Sequence, residues 1–260
     1  MSTSSPEPAE QRSGLGLPEA IRACLFDLDG VLTPTARLHA AAWKKLFDAY
    51  LEGRSRTTGE PFEPFDAVRD YQRWVDGKPR VDGVRSFLGS RGILIAEGRE
   101  GDRSEVDTAH GIGARKDEIF VDLLRQTRVA AFDGSVRYVR AVRDAGLRTA
   151  VVSSSKHCCE VLASAGIAEL FDVVIDGIVA EREHLAGKPA PDTYLAAARA
   201  LGVSPARSAV FEDALAGIES GRAGHFAFVV GVDRLGQADQ LRRHGADVVV
   251  TDLAALLGPT

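Results

Sequence analysis

From Phe132 onward the chain alternates amphipathic helical stretches with short apolar runs: "GSVRYVRAVRDAG" then "LRTAVVS", "KHCCEVLASAG" then "FDVVID", "PDTYLAAARALG" then "SAVFED", "ALAGIESGRAG" then "FAFVVGV", "GQADQLRRHG" then "ADVVVT". Runs built from Val, Ile and Phe with no polar alternation belong to strands covered on both faces, and helices between them supply the cover. The pattern therefore predicts an α/β fold with a doubly wound, Rossmann-like parallel sheet. The isolated run "IRACLF", 21–26, reads as a further strand of that sheet, separated from the rest by about a hundred residues of different character.

That intervening segment is helical. "TARLHAAAWKKLFDAYLEGR" places Leu38, Ala42, Leu46 and Ala49 at steps of three or four, and Pro34 or Thr35 can open the helix. Trp43 reads as core packing on its apolar face. Further helices are expected near 64–74, 81–91 and 114–127, separated by the loop-like "GRSRTTGEP" and "GREGDRSEVDTAHGIG". The expected organisation is a disordered leader over 1–18, rich in Ser, Pro, Glu and Gly, a catalytic core over 19–34 and 131–260, and an inserted α-helical cap over 35–130.

Composition excludes little beyond this. At 260 residues with 45% hydrophobic and 27% charged residues the chain can bury a large core. A net charge of -5 supplies no basic excess for a nucleic-acid backbone, so nucleic acid is not an expected partner. Cys24, Cys158 and Cys159 form neither a metal knuckle nor an even disulfide framework. No apolar stretch reaches the roughly 20 residues of a membrane span, and the first residues lack a signal-peptide pattern, so a cytoplasmic protein without membrane association is expected.

In a doubly wound sheet ligands gather outside the carboxyl ends of the strands. Asp27 and Asp29 follow the first strand, Ser153, Ser154, Ser155 and Lys156 follow "RTAVV", Lys188 lies in "AGKPAPD" beyond "FDVVID", and Glu212 with Asp213 follow "SAVF". Taken singly, a serine run is an N-cap, a lysine before proline is a solvated loop residue, and paired acids favour a helix N-terminus. Their arrival at one edge argues otherwise. Carboxylates in such number need a cation, and a hard divalent ion such as Mg²⁺ takes oxygen ligands from carboxylates, water and phosphate. Serine hydroxyls and backbone N–H groups can hold phosphate oxygens, while a lysine neutralises the transferring group.

The stretches "FDLDGVLT", "SSSK", "GKPAPD" and "FEDALAGI" resemble the four motifs of the haloacid dehalogenase superfamily, and the layout with its helical cap resembles the β-phosphoglucomutase branch. The resemblance implies Asp27 as the nucleophile that accepts a phosphoryl group and Asp29 as the general acid and base. It implies Mg²⁺ held by Asp27, the backbone carbonyl of Asp29, and Asp213 with Glu212 beside it, and phosphoryl oxygens bound by Ser153, Ser154 and Lys188. In the cap, "DGKPRVDG" is similar to a substrate loop, with Gly77, Lys78 and Arg80 toward a sugar or its second phosphate. Thr35 falls at the core–cap hinge, His39 near the sugar, and Ser155 and Lys156 with the substrate. The implied activity is a phosphosugar mutase converting β-glucose 1-phosphate to glucose 6-phosphate, with a hexose-phosphate phosphatase as the alternative; the implied partner is a small phosphorylated sugar, and the family default is a monomer. Pro34, His157 after the Ser-Lys motif, and an enlarged cap around 91–113 depart from the common pattern.

Overall fold

A computed structural model describes residues 11–12 and 14–258. Strands β3 (Ala23–Phe26), β4 (Arg148–Val152), β5 (Val173–Ile175), β6 (Ser208–Glu212), β7 (Phe228–Val232) and β8 (Val248–Val250) follow a short β1–β2 pair (Gln11–Arg12 with Leu17–Pro18). The six form one parallel sheet in the order β5-β4-β3-β6-β7-β8. Every residue of β3 is fully buried. Cys24 and Phe26 join Tyr138 and Val139 of helix α4 (Asp133–Asp144) on one face. Ala23 and Leu25 join Tyr194 of α7 (Asp192–Leu201) and Ile218 of α8 (Leu215–Ala223) on the other. That two-sided cover is why the strands carry no polar alternation.

From β3 the chain builds the sheet outward through β4 to β5, then returns past β3 to add β6, β7 and β8. The reversal leaves a crevice at the carboxyl ends of β4, β3 and β6, where the loops carrying the acidic and serine motifs emerge. Helices α1 (Ala36–Thr58), α2 (Arg80–Ser90) and α3 (Ala109–Gln126) lie between β3 and β4 in sequence and bury an apolar cluster of their own, with Trp43, Phe47, Phe65, Phe87 and Ile112 at its centre. This is the cap, and Trp43 packs in it as expected.

Several sequence expectations are corrected. The helix near 64–74 is shorter than expected: the Asp66 carboxylate accepts from the N–H groups of Val68 and Arg69 at 2.9 and 2.7 Å and caps a short helical stretch that ends in a π-helical turn, Tyr71–Val75. Helix α3 starts at Ala109, before the expected 114, because the Thr108 hydroxyl caps the N–H of Gly111 at 3.0 Å. Helix α6 (Gly177–Arg182) was not expected at all: it buries none of its residues, so it has no apolar stripe to read, and it is nucleated by Asp176 accepting from Ile178 and Val179. The leader expected over 1–18 is too long. Leu15 and Leu17 are buried, and the Leu15 carbonyl accepts the Tyr138 hydroxyl at 2.9 Å; tertiary burial overrides the loop-like composition there. Residues 1–10 and 13 of that leader lie outside the described residues. Within the described residues no helix is long and apolar enough to cross a membrane.

Candidate active site

Asp27 leaves the end of β3 with its N–H bonded to the Phe211 carbonyl of β6 at 2.9 Å, so the strand pairing itself aims its side chain. Lys188 reaches under it. The buried ammonium donates to Asp27 Oδ1 at 2.5 Å, to Glu212 Oε1 at 2.6 Å and to the Val152 carbonyl at 3.2 Å. Glu212 is held in turn by the Tyr194 hydroxyl at 3.0 Å and by the Ala214 N–H at 3.1 Å. Lys188 and Glu212 therefore form a layer behind the crevice floor. Burial disfavours the charge on Lys188, but the two carboxylates outweigh it and hold the ammonium protonated well above its ordinary range.

The acids outnumber this one cation. Burial pushes the Asp27 carboxyl up, Lys188 pulls it back, and Glu212 and Asp29 push it up again. Burial likewise raises Asp213, reinforced by Asp76, Glu212, Asp27 and Asp29. Asp213 has no salt bridge among the described residues. Carboxylate oxygens of Asp27, Glu212 and Asp213 come within 4.8 Å of one another. An all-oxygen set with excess negative charge fits a hard divalent cation. Gly30 supports the same arrangement: it turns the loop with φ of 89°, and any side chain there would collide with the Asp213 carboxylate.

Asp29 points elsewhere, toward the hinge. The Thr35 hydroxyl donates to its Oδ1, Thr33 meets Thr35 at 2.7 Å, and the Ser153 hydroxyl stands 3.4 Å from Oδ2. Thr35 occupies the N-cap of α1 yet makes no capping bond, because its hydroxyl is committed to Asp29. His39 Nε2 lies 3.5 Å from the same carboxylate, and its Nδ1 lies 2.6 Å from the ammonium nitrogen of Lys116 on α3. Burial alone would raise Asp29, but His39, the Thr35 hydroxyl and Lys116 together bring it down to about 2. Repulsion between the two aspartates, which would have raised one of them for acid duty, is thus overridden at Asp29 by cap-borne donors. Lys116 is itself pushed down to about 7 by burial and by Arg80, against the pull of Asp117 and Asp29.

The remaining motif residues divide their tasks. Ser153 Oγ accepts the N–H of Ser155 at 3.1 Å, and Ser155 Oγ accepts that of His157 at 3.2 Å, which opens α5 (Cys158–Ser164). Ser154, expected at phosphate, instead donates to the Gly77 carbonyl of the cap at 2.7 Å. Lys156 pairs with Glu181 at 2.6 Å, and Lys78 donates to Ser86 at 3.0 Å. Arg80 pairs with Asp117, and His157 Nε2 reaches the same oxygen of Asp117 at 3.1 Å from the core side. Gly77, Lys78, Arg80 and Lys156 nonetheless line, with Asp27, Asp29, His39, Asp213 and the three serines, one cavity of about 540 Å³ between cap and core. Thr35, Lys188 and Glu212 stand just behind its wall. Sequence reasoning missed Lys116, Asp117 and Asp76, which also line it; a lysine on the buried face of α3 one turn from Phe120 was the available signal for the first.

The model of the haloacid dehalogenase-like hydrolases matches residues 21–225. The chain belongs to that family. A β-phosphoglucomutase of Mycobacterium tuberculosis is 58% identical over 246 residues, 94% of each chain. One from Bacillus subtilis is 31% identical over 91% of this chain and 92% of its own. Among solved structures, a β-phosphoglucomutase from Clostridium difficile superposes with a TM-score of 0.69 at 26% identity, covering 91% of this chain and 93% of the other. The family's Rossmann-like core with a helical cap is the fold found here, and this chain is an enzyme of that family.

Proposed function

We propose that the protein is a Mg²⁺-dependent phosphosugar mutase that interconverts β-glucose 1-phosphate and glucose 6-phosphate through a phosphoryl group carried on Asp27. One observation carries the reading: the cap supplies the groups that hold Asp29, so proton transfer is coupled to a covered site. The similarity to β-phosphoglucomutases along nearly the whole chain supports it.

Starting from the phosphoenzyme, Asp29 takes the proton of a sugar hydroxyl as that oxygen attacks the phosphoryl group and the bond from phosphorus to Asp27 breaks. In the return step Asp27 Oδ attacks the other phosphate of the resulting bisphosphate, the bond from phosphorus to the sugar oxygen breaks, and that oxygen takes the proton back from Asp29. Asp27, Asp213 and the backbone carbonyl of Asp29, with Glu212 beside them, would hold Mg²⁺, which when bound would neutralise charge on the transferring group. Lys188 orients the Asp27 carboxylate from behind while Ser153 offers its hydroxyl to a phosphoryl oxygen. Asp29, held ionised by Thr35, His39 and Lys116, is in the state that receives a proton. Arg80 and His157 converge on Asp117 at the far wall, and a second phosphate would replace that carboxylate between them. Exclusion of water by the cap reserves the phosphoenzyme for a sugar hydroxyl.

The test is product partition. With Mg²⁺, β-glucose 1-phosphate and a trace of glucose 1,6-bisphosphate, glucose 6-phosphate is the expected product. Release of mostly inorganic phosphate would replace the mutase reading with a hexose-phosphate phosphatase.

A further inference from the structure

The loop 233–237, between β7 and α9 (Ala238–His244), lies outside the four motifs, yet it sends two side chains back to the loops that carry the acids. Arg234 donates from Nε to the Gly30 carbonyl at 2.9 Å, and Gln237 donates from Nε2 to the Asp213 carbonyl at 2.9 Å. The loop is itself fixed. The Asp233 N–H donates to the Val250 carbonyl of β8 at 2.8 Å, and its carboxylate accepts the N–H groups of Leu235, Gln237 and Ala238 at 3.2, 2.9 and 3.1 Å. Asp233 thereby caps α9, and the Gln237 side chain at the N-cap position turns to Asp213 instead. The Arg234 guanidinium carbon lies 3.9 Å from the centroid of the Phe132 ring, and Nη1 donates to the Thr251 carbonyl at 2.7 Å.

The two bonds act on the peptides that flank the cation's oxygen donors. The peptide between Asp29 and Gly30 donates its N–H to the Thr33 carbonyl at 2.7 Å, which sets the direction of the Asp29 carbonyl, and Arg234 fixes the next peptide along. The peptide between Asp213 and Ala214 is held at both ends, its N–H by Glu212 Oε2 at 3.1 Å and its carbonyl by Gln237. The Asp213 carboxylate has no side-chain hydrogen bond or salt bridge among the described residues, so its placement follows from that peptide. Gln237 is only 5% exposed, and its Oε1 accepts no bond among the described residues. Burying an amide for a single hydrogen bond costs stability, and the bond it makes is the one to Asp213.

We propose that Arg234 and Gln237 are positioning residues for the divalent cation: by pinning Gly30 and Asp213 to one rigid loop, they set the placement of the Asp29 carbonyl relative to the Asp213 carboxylate and so the affinity for Mg²⁺. Mg²⁺ tolerates little displacement of its oxygen ligands, and residues behind those ligands govern how tightly a metal is held. The inference rests on the Mg²⁺ site of the reading above and is independent of which sugar phosphate is bound.

The experiment compares the full wild-type chain with Gln237→Met, which keeps the length and loses the amide, and Arg234→Lys, which keeps the charge and loses the Nε donor. Mg²⁺ dissociation constants are measured by calorimetry without substrate, alongside metal-free melting temperatures and turnover against Mg²⁺ concentration. Both variants should bind Mg²⁺ about tenfold to a hundredfold more weakly, and excess Mg²⁺ should restore their turnover. Gln237→Met should keep its metal-free melting temperature within about 3 °C of wild type, whereas Arg234→Lys should melt lower as its stacking on Phe132 is lost. An unchanged dissociation constant in either variant, turnover that excess Mg²⁺ leaves low, or affinity lost in Gln237→Met only with a larger fall in melting temperature would overturn the positioning role and leave the Mg²⁺ site standing. A wild type that binds no Mg²⁺ would overturn the metal site and this inference together.

Discussion

Two lysines are buried at this site, one in each domain, and they behave in opposite ways. Lys188, 2% exposed, touches two carboxylates and keeps its proton. Lys116, 4% exposed, touches the imidazole of His39 and lies over the rings of Trp43 and Phe120, 5.3 and 4.6 Å from their centroids. Its ammonium is disfavoured down to about 7. Burial is nearly the same, so neighbours decide: direct anionic partners repay desolvation, and ring faces with a neutral nitrogen do not. The core lysine is a fixed charge that orients Asp27, and the cap lysine is an adjustable one set beside His39 and Asp29.

The comparison breaks most visibly at Lys188. Lys188→Met leaves Asp27 and Glu212 buried together without their cation, and should cost about 3–5 kcal/mol in urea unfolding as well as eliminating turnover. Retained stability would mean that the pair is not the structural anchor described. Next in size, Asp29→Asn should lower the rate by about 10²–10⁴ while Mg²⁺ affinity holds, measured by single turnover and metal titration.

Lys116→Met should do the reverse of Lys188→Met for stability. Because folding depresses the Lys116 pKa, the unfolded chain binds more protons between about 7 and the ordinary lysine value near 10.5, so wild-type stability rises with pH across that window. The variant should therefore be more stable than wild type by about 1–4 kcal/mol at or below pH 7, with the gain fading toward pH 10. It should also let Asp29 rise from about 2, moving the acid limb of the pH–rate profile upward. A flat difference in stability across pH would show that Lys116 is protonated without penalty.

The smallest effect is expected where cap meets core at Asp117 and His157. The bond to Asp117 raises the His157 pKa, while His157 and Arg80 keep Asp117 ionised. The contribution is complete below the unfolded histidine value near 6.5 and is lost as pH rises through the raised folded value. His157→Asn should thus destabilise by less than about 1 kcal/mol near pH 6, since the pair is partly solvated, and by nothing measurable near pH 9. Thermal melts across that range check it.

The site was legible to the extent that its residues sit at strand ends. Asp27, Asp29, Ser153 and Asp213 follow apolar runs, and Glu212 ends one, in strands whose parallel pairing sends those loops to the same edge, while Lys188 arrives there from beyond α6. Asp76, Lys116 and Asp117 come from a turn and a helix of the cap, where spacing along the chain says nothing of which cavity a side chain enters. The order near Leu15 and Leu17 was hidden for a related reason, since their burial depends on Tyr138, more than a hundred residues away.

Hydrophobic period and strand direction, local properties with a global consequence, were enough to specify the parallel sheet, the inserted cap and the edge at which the acids gather. The tertiary structure alone decided which carboxylate keeps a lysine, which lysine loses its charge, and that Asp29 is governed by the cap. Those outcomes depend on distance and dielectric between groups remote in the chain, and only the packed fold sets them.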